Sequence, residues 1–164
     1  MSTKSLVELL ENPNVFHYKK EWLDTHILEE RKLLEVFSFG TVKDVQPSMG
    51  LSLLSLRKLQ KLTIMSMCES YRRITYAQVV SQCQLADDSE VEQLFMEMNS
   101  VMVFEIDCVA KFVEIKKCLD SRDVYGEERE LTVLQQTPNK TKQGLITDLI
   151  RWKTKLNLDI CSSA

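Results

Sequence analysis

The chain has 164 residues, 44% hydrophobic and 27% charged, with a formal net charge of −3. That length and balance fit one globular domain that buries most of its apolar surface, and the slight acidity excludes a general attraction to nucleic acid or anionic membrane. Only four Gly and three Pro are present, which favours helix over strand, and no apolar run approaches the ~18–20 residues that cross a bilayer.

Residues 5–11 read as a short helix with Leu6, Leu9 and Leu10 on one side, ended by Pro13. "EWLDTHILEERKLLEVFSFG" carries Trp22, Leu23, Ile27, Leu33, Leu34 and Phe37, as one helix or two short ones, with a stop at Gly40. Residues 41–50 are a loop by composition. The strongest helix runs from Ser52 to Ser70. Leu56, Leu59 and Leu62 keep the 3.6-residue period, and the all-round apolar "TIMSMC" predicts a buried second half. Thr75 reads as the N-cap of "YAQVVSQC". Ser89, with Glu92 three residues later, reads as a capping box opening "EVEQLFMEMNSV".

Beyond Met98 the texture changes to β-branched and aromatic. "VMVFEID" and "FVEIKKC" read as a hairpin, although "CVAK" between them lacks the usual Asn-Gly turn. Residues 120–143 are the most polar long stretch, read as a linker with a possible short strand at Thr132–Leu134. The last helix is "GLITDLIRWKTKLNLDI", whose Leu145, Leu149, Trp152 and Leu156 step by 4, 3 and 4. The expected fold class is mostly α with a small β-hairpin wing (α+β). Residues 1–50 form an N-terminal helical segment, 51–124 a winged helix, 125–143 a polar linker and 144–160 a C-terminal helix.

A winged helix raises the question of DNA. A reading helix brings Lys and Arg to phosphates and bases. The third helix and its approach instead carry Asp87, Asp88, Glu90, Glu92 and Glu97, with no cation, so a nucleic-acid binder is the weaker alternative. Arg72 and Arg73 read as solvated or paired with local acids. An enzyme is weaker still. His17 and His26 form no metal motif, and no phosphate-cradling or nucleophile-elbow pattern occurs. His26 reads as a packed histidine. The five Cys (Cys68, Cys83, Cys108, Cys118 and Cys161) are odd in number without a C-x-x-C pair, and read as small apolar residues of a reduced intracellular protein. The opening "MSTKSLVELLENP" has too short an apolar run for a signal peptide. Cytoplasm and nucleus are therefore expected, with no cofactor, metal or membrane partner.

Interaction surfaces remain. Leu145, Ile146, Leu149, Trp152 and Leu156 have the spacing of a helix that enters a partner bundle. Phe112, Val113 and Ile115 read as an edge strand open to β-augmentation.

These residues carry a resemblance. Leu9-Leu10-Glu11 with Pro13, then Phe37, Gly40 and Thr41, then Lys58-Leu59, Leu62-Thr63-Ile64 and Ile74-Thr75-Tyr76, resemble the PCI domain of the subunit-seven-like branch of the COP9 signalosome. "DSRDV" stands where that family closes its wing, and "LITDLIRWKTKL" is similar to its C-terminal helix, Trp152 included. The match is collinear from about Leu9 to Leu156, and the length best fits a small budding-yeast member. Its departures are very short helical repeats, a wing turn without glycine and a long link between wing and last helix. The resemblance implies a PCI-type winged helix and a non-catalytic scaffold subunit. Its complex removes the ubiquitin-like modifier Nedd8/Rub1 from cullins, through a zinc isopeptidase centre in another subunit. It implies other signalosome subunits as partners, meeting the wing edge and the C-terminal helix. PCI subunits of the proteasome lid or of initiation factor three are the neighbouring alternatives.

Overall fold

A computed structural model describes residues 3–135 and 142–162. Five short elements come first: α1 (Thr3–Glu11), α2 (Lys19–Asp24), α3 (Leu28–Phe39) and two single 3₁₀ turns within 42–49. The long α4 (Leu53–Ser70) follows, then β1 (Arg73–Thr75), α5 (Tyr76–Cys83), α6 (Asp88–Met96), β2 (Met102–Asp107), β3 (Phe112–Cys118) and α7 (Lys142–Ser162). The chain is thus mostly helical with a small antiparallel sheet.

Caps explain where the helices begin. The Ser52 side chain accepts from the Ser55 amide at 3.1 Å and opens α4. Thr75 and Gln78 form a reciprocal capping box on α5. The start of α6 differs from expectation: Asp87, not Ser89, is the N-cap, accepting from the Glu90 amide at 3.0 Å. Glu90 reaches back to the Ala86 amide, and Ser89 lies inside the first turn. The Gly40 stop to α3 is as expected, as is the burial of Thr63, Ile64, Met65 and Cys68 along α4.

The sheet order is β1-β3-β2. β1, only three residues long, was not legible as a strand. It pairs with β3 through Ile74↔Val113, while β2 pairs with β3 from Met102↔Cys118 to Asp107↔Phe112. The glycine-free hairpin turn has a local solution. Asp107 Oδ1 accepts from the Val109 and Ala110 amides at 3.0 and 2.7 Å, and Lys111 takes the left-handed conformation at φ 56°.

The core has α4 at its centre, with Leu59, Leu62 and Ile64 fully buried. Tyr18, Trp22 and Phe37 fill the N-terminal side. Trp22, Phe39 and Tyr125 stack edge to face, with centroids 5.2 to 6.3 Å apart. Lys58 is also buried, and donates to the Asn12 and Pro13 carbonyls just beyond α1 while its ammonium lies over the Phe16 ring. Burial lowers this ammonium to about 8.

Tyr125 brings the polar stretch into the core, where a linker was expected. After β3 the chain crosses the N-terminal helices and binds them through side chains. Arg122 is almost fully buried. Its Nη1 donates to the Gly40 carbonyl and to Ser66 Oγ, and its Nη2 donates to the Phe37 carbonyl at 2.7 Å. These carbonyls end α3 and have no partner within the helix. Burial pulls the guanidinium down to about 10, still charged at neutral pH. The next residue, Asp123, accepts from the Tyr18 and Lys19 amides at 2.6 and 2.9 Å, at the start of α2. Cation at a C-terminus and anion at an N-terminus both match the helix dipole. Further along, Arg129 Nη1 donates to the Trp22 and Thr25 carbonyls. The fully buried Glu35 accepts from the amides of Thr132, Val133 and Leu134 and from the Thr132 hydroxyl. Those amides are therefore taken, and residues 132–134 form no strand. Residues 120–135 are a strap, and the rest of the expected linker, up to 141, lies outside the described residues.

His17 Nδ1 lies 3.1 Å from Asp123 and its Nε2 3.1 Å from Asp120. Partial burial disfavours the imidazolium, but the bond to Asp123 and the field of both carboxylates outweigh it and raise the imidazole above 6.5.

Arg122→Ala leaves the α3 carbonyls unpaired, and is expected to cost about 3 kcal/mol or more, read as a lowered urea midpoint. His17 stabilises most below its unfolded-state value of 6.5, and the contribution fades as pH rises through the raised folded-state value. For so exposed an ion pair the gap between parent and His17→Ala stays below about 1 kcal/mol. Urea unfolding at about pH 5.5 and about pH 8.5 is expected to show this gap narrowing with pH.

Candidate interaction surfaces

The α6 carboxylates come first, because they bear on nucleic acid. Each has a local task. Asp87 caps the helix, and Glu90 closes the turn before it. Glu92 accepts from the Tyr76 hydroxyl at 2.9 Å. Glu97 bridges Arg57 and Lys61 on α4 at 3.1 and 2.8 Å, and these charges and bonds lower its carboxyl although burial opposes them. Asp88 faces Lys111 across 3.4 Å. The acidic α6 is therefore built into the packing of α4, α5 and the hairpin turn. Arg73 lies over the Phe112 ring at 4.4 Å and 3.8 Å from Glu114.

The sheet places its predicted residues differently from expectation. β3 is the middle strand, paired on both sides, so Phe112, Val113 and Ile115 do not form an open edge. Val113 and Ile115 are buried core residues, and Phe112 is half-buried. The sequence reading missed β1, and without it β3 looked like the last strand. The open positions belong to β1 and β2. On β2, Val103 is exposed beside a bulge at Val103/Phe104, and Val109 at the hairpin tip is 95% exposed.

α7 presents the residues singled out from the stripe. Leu149 and Trp152 are each 61% exposed, Ile146 and Leu156 are exposed, and Leu145 is half-buried. Ile150, Leu158 and Ile160 are exposed as well, and four-three stepping alone did not pick them out. On α7 a large Trp therefore faces solvent amid exposed aliphatic residues.

No group of three or more His, Cys, Asp or Glu among the described residues could hold a metal ion. His26 is exposed between α2 and α3, against the packed position expected for it. Cys68 and Cys83 are buried, and burial pushes both thiols up to about 12, so neither is a poised nucleophile. No helix among the described residues is long and apolar enough to cross a membrane.

Three relatives match almost end to end. COP9 signalosome complex subunit 9 of Saccharomyces cerevisiae is 36% identical over 154 residues, 94% of each chain. Subunit 9 of Kluyveromyces lactis is 31% identical over 158 residues, covering 95% of this chain and 99% of that one. Subunit 9 of Eremothecium gossypii is 28% identical over 163 residues, covering 98% and 99%. No protein-family model matches the chain.

With its carboxylates arrayed on α6, the protein is expected to leave duplex DNA unshifted in low-salt gels at concentrations up to about 10⁻⁴ M, the weak end of ordinary non-specific affinity. A salt-sensitive shift below that concentration would contradict this.

Proposed function

The chain belongs to the family of COP9 signalosome complex subunit 9, and on that basis we propose that it is a non-catalytic assembly subunit of the signalosome. In this role it supports removal of Nedd8/Rub1 from cullins, in cytoplasm and nucleus, and needs no metal or cofactor of its own. Its partners are other signalosome subunits. The observation that carries the reading is the end-to-end match to a named subunit of that complex at 36% identity.

The geometry supports finer features. The order α4-β1-α5-α6-β2-β3 suits a winged helix of the PCI type, with α1–α3 as its short helical layer. β2 then replaces β3 as the strand that would meet a neighbouring PCI subunit. α7 enters a shared helical bundle through Leu145, Ile146, Leu149, Trp152 and Leu156. Burying that stripe would contribute several kcal/mol, at about 25 cal/mol per Å² of apolar area. The buried thiols and the local tasks of the carboxylates fit a subunit without chemistry of its own.

The test is assembly. Leu149→Asp with Trp152→Asp is expected to leave the urea midpoint of the isolated chain unchanged, because both side chains are exposed. The same double change is expected to abolish co-purification with signalosome subunits. Undiminished co-purification would remove the bundle reading, and a large drop in the midpoint would make α7 part of the chain's own core.

A further inference from the structure

The apolar surface of α7 is wider than the stripe read from the sequence. At 3.6 residues per turn each step rotates about 100°. From Leu149 as origin, Trp152 falls about 60° to one side, and Ile146 and Ile150 fall about 60° and 100° to the other. In heptad terms Leu145, Leu149, Trp152 and Leu156 fill the a and d positions, with Ile146 and Ile160 in the adjacent e column. Such a face suits a helix that packs on more than one neighbour, not a narrow two-stranded seam. Asp148, Arg151 and Lys155 take the opposite side, where Arg151 is tied to Asp148 at 3.3 Å.

Lys153 breaks the pattern. It stands in the e column, seven residues from Ile146 and seven from Ile160. Of its neighbours one turn away, Leu149, Ile150 and Leu156 are apolar, and the fourth is Asn157. Its side chain is exposed and has no ion-pair partner among the described residues. An ammonium carried into a packed interface is costly unless a counter-charge meets it. Charges at e positions also set partner choice and orientation in helical assemblies.

We propose that Lys153 pairs with a carboxylate of the surface that covers α7. The occupant is an apolar helical groove carrying an Asp or Glu opposite the e column, and the pair fixes the axial register of α7 in it. The proposal rests on the reading of α7 as a docking helix.

The test uses the full chain and, as probe, signalosome purified from cells that lack it. Lys153→Gln keeps helix propensity and removes the charge, and is expected to weaken binding about tenfold. Lys153→Glu is expected to weaken it further, Lys153→Arg to stay within about twofold of the parent, and Arg151→Gln on the far face to leave binding unchanged. Parent-like binding by Lys153→Gln, or tighter binding by Lys153→Met, overturns the pairing and means that the ammonium reaches solvent. Equal losses for Lys153→Gln and Arg151→Gln also overturn it, leaving diffuse charge attraction. Leu149→Asp separates the two levels. If it abolishes binding while Lys153→Gln does not, only the pairing has failed. If both bind like the parent, the docking reading has failed as well.

Discussion

The adjacent pair Arg122 and Asp123 ties the chain leaving the sheet to the N-terminal helices, across separations of 82 to 105 residues. One side chain satisfies the last carbonyls of α3 and the other the first amides of α2. A helix end inside a protein must find such partners. Here they come from about a hundred residues away, on the chain leaving the sheet. The N-terminal helices are too short to stand alone, and the sheet is too small to be stable by itself. The clamp joins the two, and Tyr125 completes an aromatic cluster with Trp22 and Phe39.

Charge is used throughout to satisfy backbone or to fix neighbouring elements. Glu35 gathers three amides of the strap, Lys58 closes the end of α1, and the α6 carboxylates cap, close and bridge. An acidic helix in the place of a reading helix is thus a packing element. Exposed large apolar residues lie along α7, on β2 and at the hairpin tip, and also at the start of α4, where Leu53 and Leu54 face solvent.

Much of this was legible in the sequence. Apolar spacing located α1, α3, α4 and α7, and Thr75 marked the start of α5 that it caps, whereas Ser52, read as the first residue of α4, proves to be its N-cap. The β-branched and aromatic runs after Met98 located β2 and β3. β1 was hidden because three residues are too few to show alternation. Missing it misplaced the sheet edge at Phe112–Ile115. The strap was hidden because its anchors, Arg122, Asp123, Arg129 and the backbone of 132–134, look like any solvated polar stretch until Glu35 and the helix ends are brought beside them.

The sequence by itself determined the helical character, the order of the helices and of β2 and β3, and the apolar stripe on the last helix. These depend on residue spacing and local capping, which act over one or two turns. Only the tertiary structure decided which strand is central, which carboxylate caps α6, and that the expected linker binds the N-terminal helices. Those outcomes depend on partners far apart in the chain. A buried amide or carbonyl takes whichever charge the fold brings within about 3 Å, and one-dimensional order cannot name that charge.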